Sequence, residues 1–332
     1  MRALILAPFS GTYLARLRRS IDVVYESWIE TNTLQDPDQL GARLAAEDIS
    51  VLIVEADFVF EEVFDAAPGL RLVGICRNAL NQVDIESATA HGVAVTHAPG
   101  RNTNAVAEMT LGLMFSLARR IPQADRLVTG AGWRDPTIGY RLFRGTEIAG
   151  STVGVVGFGQ IGREVARKCV ALGARVLVHD PFVAGRQVRA VGAVPVELRR
   201  LTAASDFITL HVPDNEATHR LVGAAFLARM KAGAFLVNTG AGSCVDPSAL
   251  AAALEAGAIA GAALDVFDGH PLPATSPLIS APNVILTPHI AGATAQTVDR
   301  HSRMMTGEIE RLLAGKPLRY VVNPNYGATR AG

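Results

Sequence analysis

The sequence predicts an α/β protein built from parallel sheets in two doubly wound lobes. Two observations carry that reading. Short apolar runs of strand length alternate with helical patterns along the whole chain, the pattern of repeated βαβ units. One of those runs, Val153-Gly-Val-Val, leads into Gly157-Phe-Gly159-Gln160-Ile161-Gly162 and a helical stretch at 163–172, so a glycine turn sits between a buried strand and a helix. Taken in order, strands are expected at 3–7, 51–54, 72–75 and 93–96, with helices at 40–47 and 83–91. This first third makes a small doubly wound unit with no glycine fingerprint. The segment 104–121 reads as one long helix rich in alanine, leucine and methionine, with Pro122 marking its end. Apolar residues occupy nearly all its faces, which implies burial on more than one side; an interdomain or dimer-forming helix is favoured over a plain core helix. After the glycine turn an apolar run closes on Asp180. Further strands follow at 194–196, 207–211, 234–238, 261–266 and 284–287, with helices at 196–204, 223–230 and 248–256. A last helix at 294–314 and a short return segment at 318–324 complete the chain.

The glycine turn has the chemistry of a dinucleotide site. Gly157 permits the tight turn, Gly159 lets backbone approach a pyrophosphate, and Gly162 lets the helix pack close to the strand. The helix start offers free N–H groups and a positive dipole end to phosphates. Asp180 lies at the end of the next strand, where a carboxylate binds both ribose hydroxyls. It would repel a 2′-phosphate, which favours NAD over NADP; Arg186, a few residues on, keeps NADP as the alternative. The bland reading is a glycine turn in an ordinary α/β domain, which the strand, helix and acid at the right spacing outweigh.

Composition excludes several classes. Lysine plus arginine and aspartate plus glutamate balance at 31 each, so no global field favours nucleic acid or an anionic membrane. Apolar residues make up 49% of the chain, too many for disorder. No apolar run reaches the roughly 18–20 residues of a membrane span, and the opening Met1-Arg-Ala-Leu-Ile-Leu-Ala reads as a first strand rather than a signal peptide. Cys76, Cys169 and Cys244 are odd in number and widely spaced, which suggests a reducing cytoplasm with no disulfide framework and no metal site.

Several further motifs accumulate in order: His97-Ala-Pro-Gly-Arg-Asn-Thr103-Asn-Ala-Val-Ala-Glu108, Gly132-Trp133, His211-Val212-Pro213 with Thr218, Asn238-Thr239-Gly240-Ala241-Gly242 with Val245-Asp246, Ala263-Leu-Asp265-Val-Phe267 with Pro271, Thr287-Pro-His289-Ile-Ala-Gly292, and Val322-Asn-Pro324. With the fingerprint at Gly157 they resemble the D-2-hydroxyacid dehydrogenase family from about residue 71 to 324; the first seventy residues match only in strand pattern. The resemblance implies two Rossmann-like or flavodoxin-like domains: a discontinuous substrate domain, 1–102 with 294–332, and an NAD-binding domain, 103–293, with the active site in a cleft between them. It implies a homodimer through helix 104–121. It also assigns roles. Thr103 contacts the cofactor; Gln160 and Ile161 meet the pyrophosphate; Asp180 holds the ribose; His211, Val212 and Pro213 flank the adenine; Thr218 contacts phosphate. Thr239, with Gly240 and Ala241, and Asp265 and Gly292 line the nicotinamide. Arg77, Asn78 and Ala79 sit in the substrate loop.

The family reduces 2-keto acids with a histidine, an arginine and a glutamate. His289 is present, and an imidazole can give or take a proton near neutral pH. Ala241 stands where the arginine belongs, and His270 where the glutamate belongs. A carboxylate would favour the charged form of His289; a second imidazole would not. Loss of a forked arginine removes the best partner for a planar carboxylate. Arg77, Arg101, Arg141, Arg144 and Arg300 are candidate substitutes, and the turn at 76–84 lacks the family's glycines but carries Asn78, Asn81 and Gln82. Three readings stay open: an NAD-dependent oxidoreductase acting on a 2-hydroxy or 2-keto acid or related carbonyl, with His289 and His270 as its catalytic pair; an enzyme using bound NAD for a net non-redox reaction; and an NAD(H)-sensing protein that acts like a corepressor through partners.

Overall fold

The computed structural model describes residues 1–331. The chain divides into two compact units: one joins Met1–Arg101 to the C-terminal segment that begins at Thr294, and the other is Asn102–Ala293.

The first unit contains five parallel strands, β1 (Arg2–Ile5), β2 (Asp22–Tyr25), β3 (Ile49–Val54), β4 (Leu72–Ile75) and β5 (Ala94–His97), in the order β2-β1-β3-β4-β5. Successive side chains of a strand point to opposite faces, and here both faces are covered. Leu4, Leu52 and Val54 pack with Leu40, Leu44, Val63 and Phe64 of helices Pro37–Ala46 and Glu61–Ala66. Ala3, Ile5, Val51 and Ile53 pack on the other face with Leu14, Leu17, Met305 and Ile309 of helices Gly11–Leu17 and Ala295–Leu313. Uniformly apolar strands are the consequence. The return segment runs antiparallel beside β5: the His97 N–H donates to the Tyr320 carbonyl (3.1 Å) and the Val322 N–H to that of Val95 (2.9 Å). Asn323 fastens it, accepting from the Val95 N–H (2.8 Å) and donating to the Val93 carbonyl (2.8 Å).

The second unit contains seven parallel strands, β6 (Thr152–Val156), β7 (Arg175–His179), β8 (Val194–Pro195), β9 (Phe207–Leu210), β10 (Phe235–Asn238), β11 (Gly261–Leu264) and β12 (Val284–Leu286), in the order β12-β11-β10-β9-β6-β7-β8. Val153 and Val155 face helices Thr103–Arg119 and Gln160–Ala171, while Val156 faces Leu201 and Leu250 on the opposite side. The chain order reverses between β6 and β9. In sheets of this kind ligands bind at that switch point, outside the carboxyl ends of the strands.

Two expectations are corrected. The helix expected over 104–121 ends at Arg119; Arg120 turns left-handed (φ 51°) and a second helix, Ile121–Thr129, starts at once. Pro122 therefore opens a helix instead of closing one. A proline in a first turn gives up an N–H that has no partner there in any case. The first of these helices is also not apolar all round. It buries Ala107, Leu113, Met114, Leu117 and Ala118 and leaves Glu108, Gly112, Phe115 and Arg119 open along its outer side. Strand β2 and the short helices Gly11–Leu17, Glu61–Ala66, Ile138–Leu142 and Gly185–Arg189 lie outside the sequence expectation. Each is too short for a hydrophobic period to show.

Candidate active site

The glycine turn follows β6 at the switch point. Gly157 adopts φ +91°, a conformation open to glycine and strained for other residues. A Cβ there would lie 2.6 Å from the carbonyl oxygen of His211, just past β9. A Cβ on Gly162 would lie 2.0 Å from the Gly157 oxygen, so close packing of the helix on the turn requires glycine at both positions. Nothing lies within 4 Å of a Cβ built on Gly159, which leaves that backbone approachable. Helix Gln160–Ala171 begins here with Gly159 as its N-cap and no side chain bonded to its first N–H groups, and Thr103 Oγ1 donates to Gln160 Oε1 (3.3 Å). Asp180, after β7, is pinned beside the turn: Oδ2 accepts from the Phe158 N–H (2.7 Å) and Oδ1 from the Phe182 N–H (2.8 Å). A carboxylate has about four lone-pair sites, so each oxygen keeps one for a ribose hydroxyl. The turn, helix start and acid together fit a dinucleotide.

Because all seven strands are parallel, the loops after β9, β10, β11 and β12 lie on the same edge as this turn. His211 bonds through Nε2 to Thr209 Oγ1 (2.9 Å), and its enclosed Nδ1 has no partner. Burial pushes the ring down to about 3, so it stays neutral at neutral pH. Val212 packs on the core and Pro213 is exposed. Thr218 closes that loop by donating to the Pro213 carbonyl (2.6 Å). After β10, Thr239 is buried, its hydroxyl 2.8 Å from that of Thr110. Asn238 accepts from the Gly240 N–H (3.1 Å) and donates to the Ala241 carbonyl (2.8 Å). Ala241 itself packs against the core, so its methyl brings no charge to the site.

The loop carrying His289 is held by one carboxylate. Asp265 is fully buried; Oδ1 accepts from Thr287 Oγ1 (2.5 Å) and the Ile290 N–H (2.9 Å), and Oδ2 from the Ala291 N–H (2.8 Å). These bonds bracket His289, which is exposed and has φ +56°, its N–H donating to the Thr287 carbonyl (3.0 Å). A non-glycine residue in that region costs of order 1–3 kcal/mol, which the bonds on either side must hold. The His270 ring lies against that of His289, centroids 4.9 Å apart at 42°, and beside Phe267 at 6.0 Å. The two histidines named from sequence are thus neighbours. Gly292 follows, where a Cβ would meet Asn102 Nδ2 at 3.0 Å.

In the first unit, Arg77, Asn78 and Ala79 follow β4 and are exposed. The Arg77 carbonyl accepts from the Ala98 N–H (2.9 Å), and the Asn78 carbonyl lies 3.2 Å from His97 Nδ1. Gln82 is not a binding side chain: it is buried and donates to the Glu55 carbonyl (3.0 Å). Among the candidate cations, Arg101 is held by Glu55 and by His301 Nδ1 (2.8 Å), and Arg300 donates to the Arg101 carbonyl (2.7 Å). Arg141 pairs with Asp135 (2.7 Å), and Arg144 stacks on Tyr140 (4.9 Å). Of the five side chains, Arg77's is the one with neither a hydrogen bond, an ion pair nor a ring contact among the described residues, since Arg144 has the Tyr140 ring. The Glu55–Arg101–His301 network joins residues 46 and 200 positions apart, and nothing local in the sequence signals it.

Comparison with known proteins bears on this arrangement. Residues 111–291 match the family model of the D-isomer specific 2-hydroxyacid dehydrogenase NAD binding domain. The chain is 35% identical over 323 residues to a D-3-phosphoglycerate dehydrogenase of Archaeoglobus fulgidus, covering 97% of this chain and 59% of that protein. It is 39% identical over 271 residues to a glyoxylate reductase of Korarchaeum cryptofilum, covering 81% of this chain and 79% of that one. It therefore spans little more than half the length of the phosphoglycerate dehydrogenases it matches. A crystal structure of a Thermus thermophilus protein superposes with a TM-score of 0.85 at 34% identity, covering 97% of this chain and 100% of that one.

Proposed function

The chain belongs to the D-isomer specific 2-hydroxyacid dehydrogenase family, and from that premise we propose that it transfers hydride between NAD and a small 2-hydroxy or 2-keto acid, with His289 as acid and base. The observation that carries this reading is His289 itself, held left-handed by the buried Asp265 on the strand edge that bears the glycine turn. Bound NAD supplies the hydride acceptor or donor. Gly157, Gly159, Gly162, Gln160 and Ile161 cradle its pyrophosphate, and Asp180 takes the ribose and selects against a 2′-phosphate. His211, Val212, Pro213 and Thr218 border the adenine side. Thr103, Thr239, Gly240, Ala241 and Gly292 border the nicotinamide. Asp265 is fully buried with three bonds to its own loop, so it borders the nicotinamide by fixing that loop.

In the reductive direction His289 donates a proton to the carbonyl oxygen as the carbon receives hydride, and in the oxidative direction it takes that proton back. His270 holds the His289 ring by contact without adding the negative charge a glutamate would bring. Arg77 is the cation we assign to the substrate carboxylate, with Asn78 and Ala79 beside it. Substrates of glyoxylate size are the first expectation, by similarity to the glyoxylate reductase. The two alternative readings rest on the substitutions at 241 and 270 and gain no further feature from the site.

We assign the protein to the cytoplasm on its three buried free thiols; no helix of the described residues is long and apolar enough to cross a membrane. We also propose a homodimer through helix Thr103–Arg119. Its outer stripe includes the exposed Phe115, and the segment after it exposes Ile121, Val128, Trp133, Tyr140 and Leu142, more apolar surface than single scattered residues explain. The function is tested by following NADH consumption against a panel of 2-keto acids. One NADH oxidised per hydroxy acid formed is expected with at least one of them; no consumption with any contradicts the proposal.

A further inference from the structure

The first unit has a groove of about 600 Å³ along the C-terminal half of helix Ala295–Leu313, bounded by Arg16 and by the chain that follows the helix. Five cations line it, Arg16, Arg303, Arg311, Lys316 and Arg319, against two carboxylates, Glu308 and Glu310. In a chain whose charges cancel overall this is a local excess of three. Both carboxylates are already committed. Glu310 holds Arg16 by two bonds of 2.6 Å. Glu308 is buried and accepts from the Arg319 N–H (2.8 Å) and the Tyr320 N–H (3.4 Å), which fixes the segment bearing Arg319 and the Tyr320 ring at the groove. Arg311 donates to the Pro317 carbonyl. The side chains of Arg303, Lys316 and Arg319 make no hydrogen bond or ion pair among the described residues. Helix-dipole compensation accounts for Arg311 and Lys316 at the helix end, since that effect acts within the last turn. It does not account for Arg303, ten residues before the helix end, or for Arg319 beyond it. Arg303, Lys316 and Arg319 are exposed and border one concavity, where an anion would meet three charges not already engaged.

We propose that this groove is a second binding site, separate from the cofactor turn, and that it takes a small anion carrying several phosphate charges. Its volume lies in the range of small-molecule sites. Forked guanidinium groups and an ammonium suit phosphate oxygens, and three unpaired cations match a ligand of three or more negative charges better than a single carboxylate. The site depends on neither His289 nor the substrate assignment.

The test is calorimetric titration of the full chain with inorganic triphosphate at fixed ionic strength, with NAD⁺ present in excess to occupy the cofactor site. ATP and citrate are titrated in parallel. One bound triphosphate per chain is expected. Arg303→Glu combined with Lys316→Glu should weaken it by at least about tenfold, with NADH affinity and thermal midpoint unchanged. Equal binding of ATP and triphosphate assigns recognition to the phosphate chain; tighter binding of ATP adds the nucleoside to the ligand. Citrate binding as tightly as triphosphate overturns the phosphate assignment. No triphosphate heat beyond that of chloride at equal ionic strength, or unchanged affinity in the double variant, overturns the site.

Discussion

His289 stands in a strained backbone conformation because a buried carboxylate 24 positions earlier in the chain pulls on the residues either side of it. The histidine stands out in the sequence by its Pro-His-Ile-Ala-Gly setting, and Ala241 and His270 by their departure from the pattern the chain otherwise resembles. The anchoring by Asp265 does not, since hydrogen bonds across 22 to 26 positions leave no local pattern. The residues at 241 and 270 set the first prediction. Ala241→Arg with His270→Glu should raise kcat/KM on a 2-keto acid by on the order of 10- to 10³-fold, because a charge-matched donor and a carboxylate partner return together. Steady-state kinetics checks it, and no gain would mean the loops after β10 and β11 no longer place those side chains productively. A second prediction concerns His301, fully buried between Arg101 and the Pro8 carbonyl (2.7 Å to Nε2). Burial pushes it down from 6.5 to about 4. The unfolded ring then binds a proton that the folded ring refuses, so stability is complete above pH 6.5 and is lost as pH falls toward 4. The slope is about 1.4 kcal/mol per pH unit for this one group. Urea midpoints at pH 7.5, 6, 5 and 4.5 should fall accordingly, less steeply in His301→Gln; a flat profile would contradict it.

Among the elements, those with long apolar runs were legible and those without were not. β4 was placed to the residue because Leu72 to Ile75 is wholly buried. β2 was missed because Asp-Val-Val-Tyr lies at a sheet edge, exposed to half-buried, with neither alternation nor length to mark it. Pro122 misled for a different reason: a proline forbids a helix interior but welcomes a helix start, and sequence alone does not say which side of the break it occupies. The glycine turn is the element where sequence and geometry agree most closely, and it carries the third prediction. Gly162→Ala puts a methyl 2.0 Å from the Gly157 oxygen, so the helix must retreat from the turn. NADH affinity, followed by fluorescence titration, should fall by more than about tenfold, and stability by about 1–3 kcal/mol. Full affinity in that variant would show that the helix start does not hold the phosphates.

For the whole molecule, the balanced composition concealed an uneven distribution. Thirty-one positive and thirty-one negative residues excluded a global field yet said nothing of the five cations gathered beside Tyr320, because sequence spacing does not show which surface residues converge. The exposed aromatic segment after Arg119 raises the question of assembly in the same way. Phe115→Glu with Trp133→Glu should convert a dimer into a monomer in light scattering coupled to size exclusion; an unchanged dimeric mass would place the interface elsewhere. The central claim is that His289 moves the proton while the glycine turn holds the cofactor, and the two roles separate in one variant. His289→Asn should bind NADH as the parent does, yet turn over a 2-keto acid more slowly by about 10²- to 10⁴-fold. Parental turnover in His289→Asn, with NADH binding intact, would contradict the account.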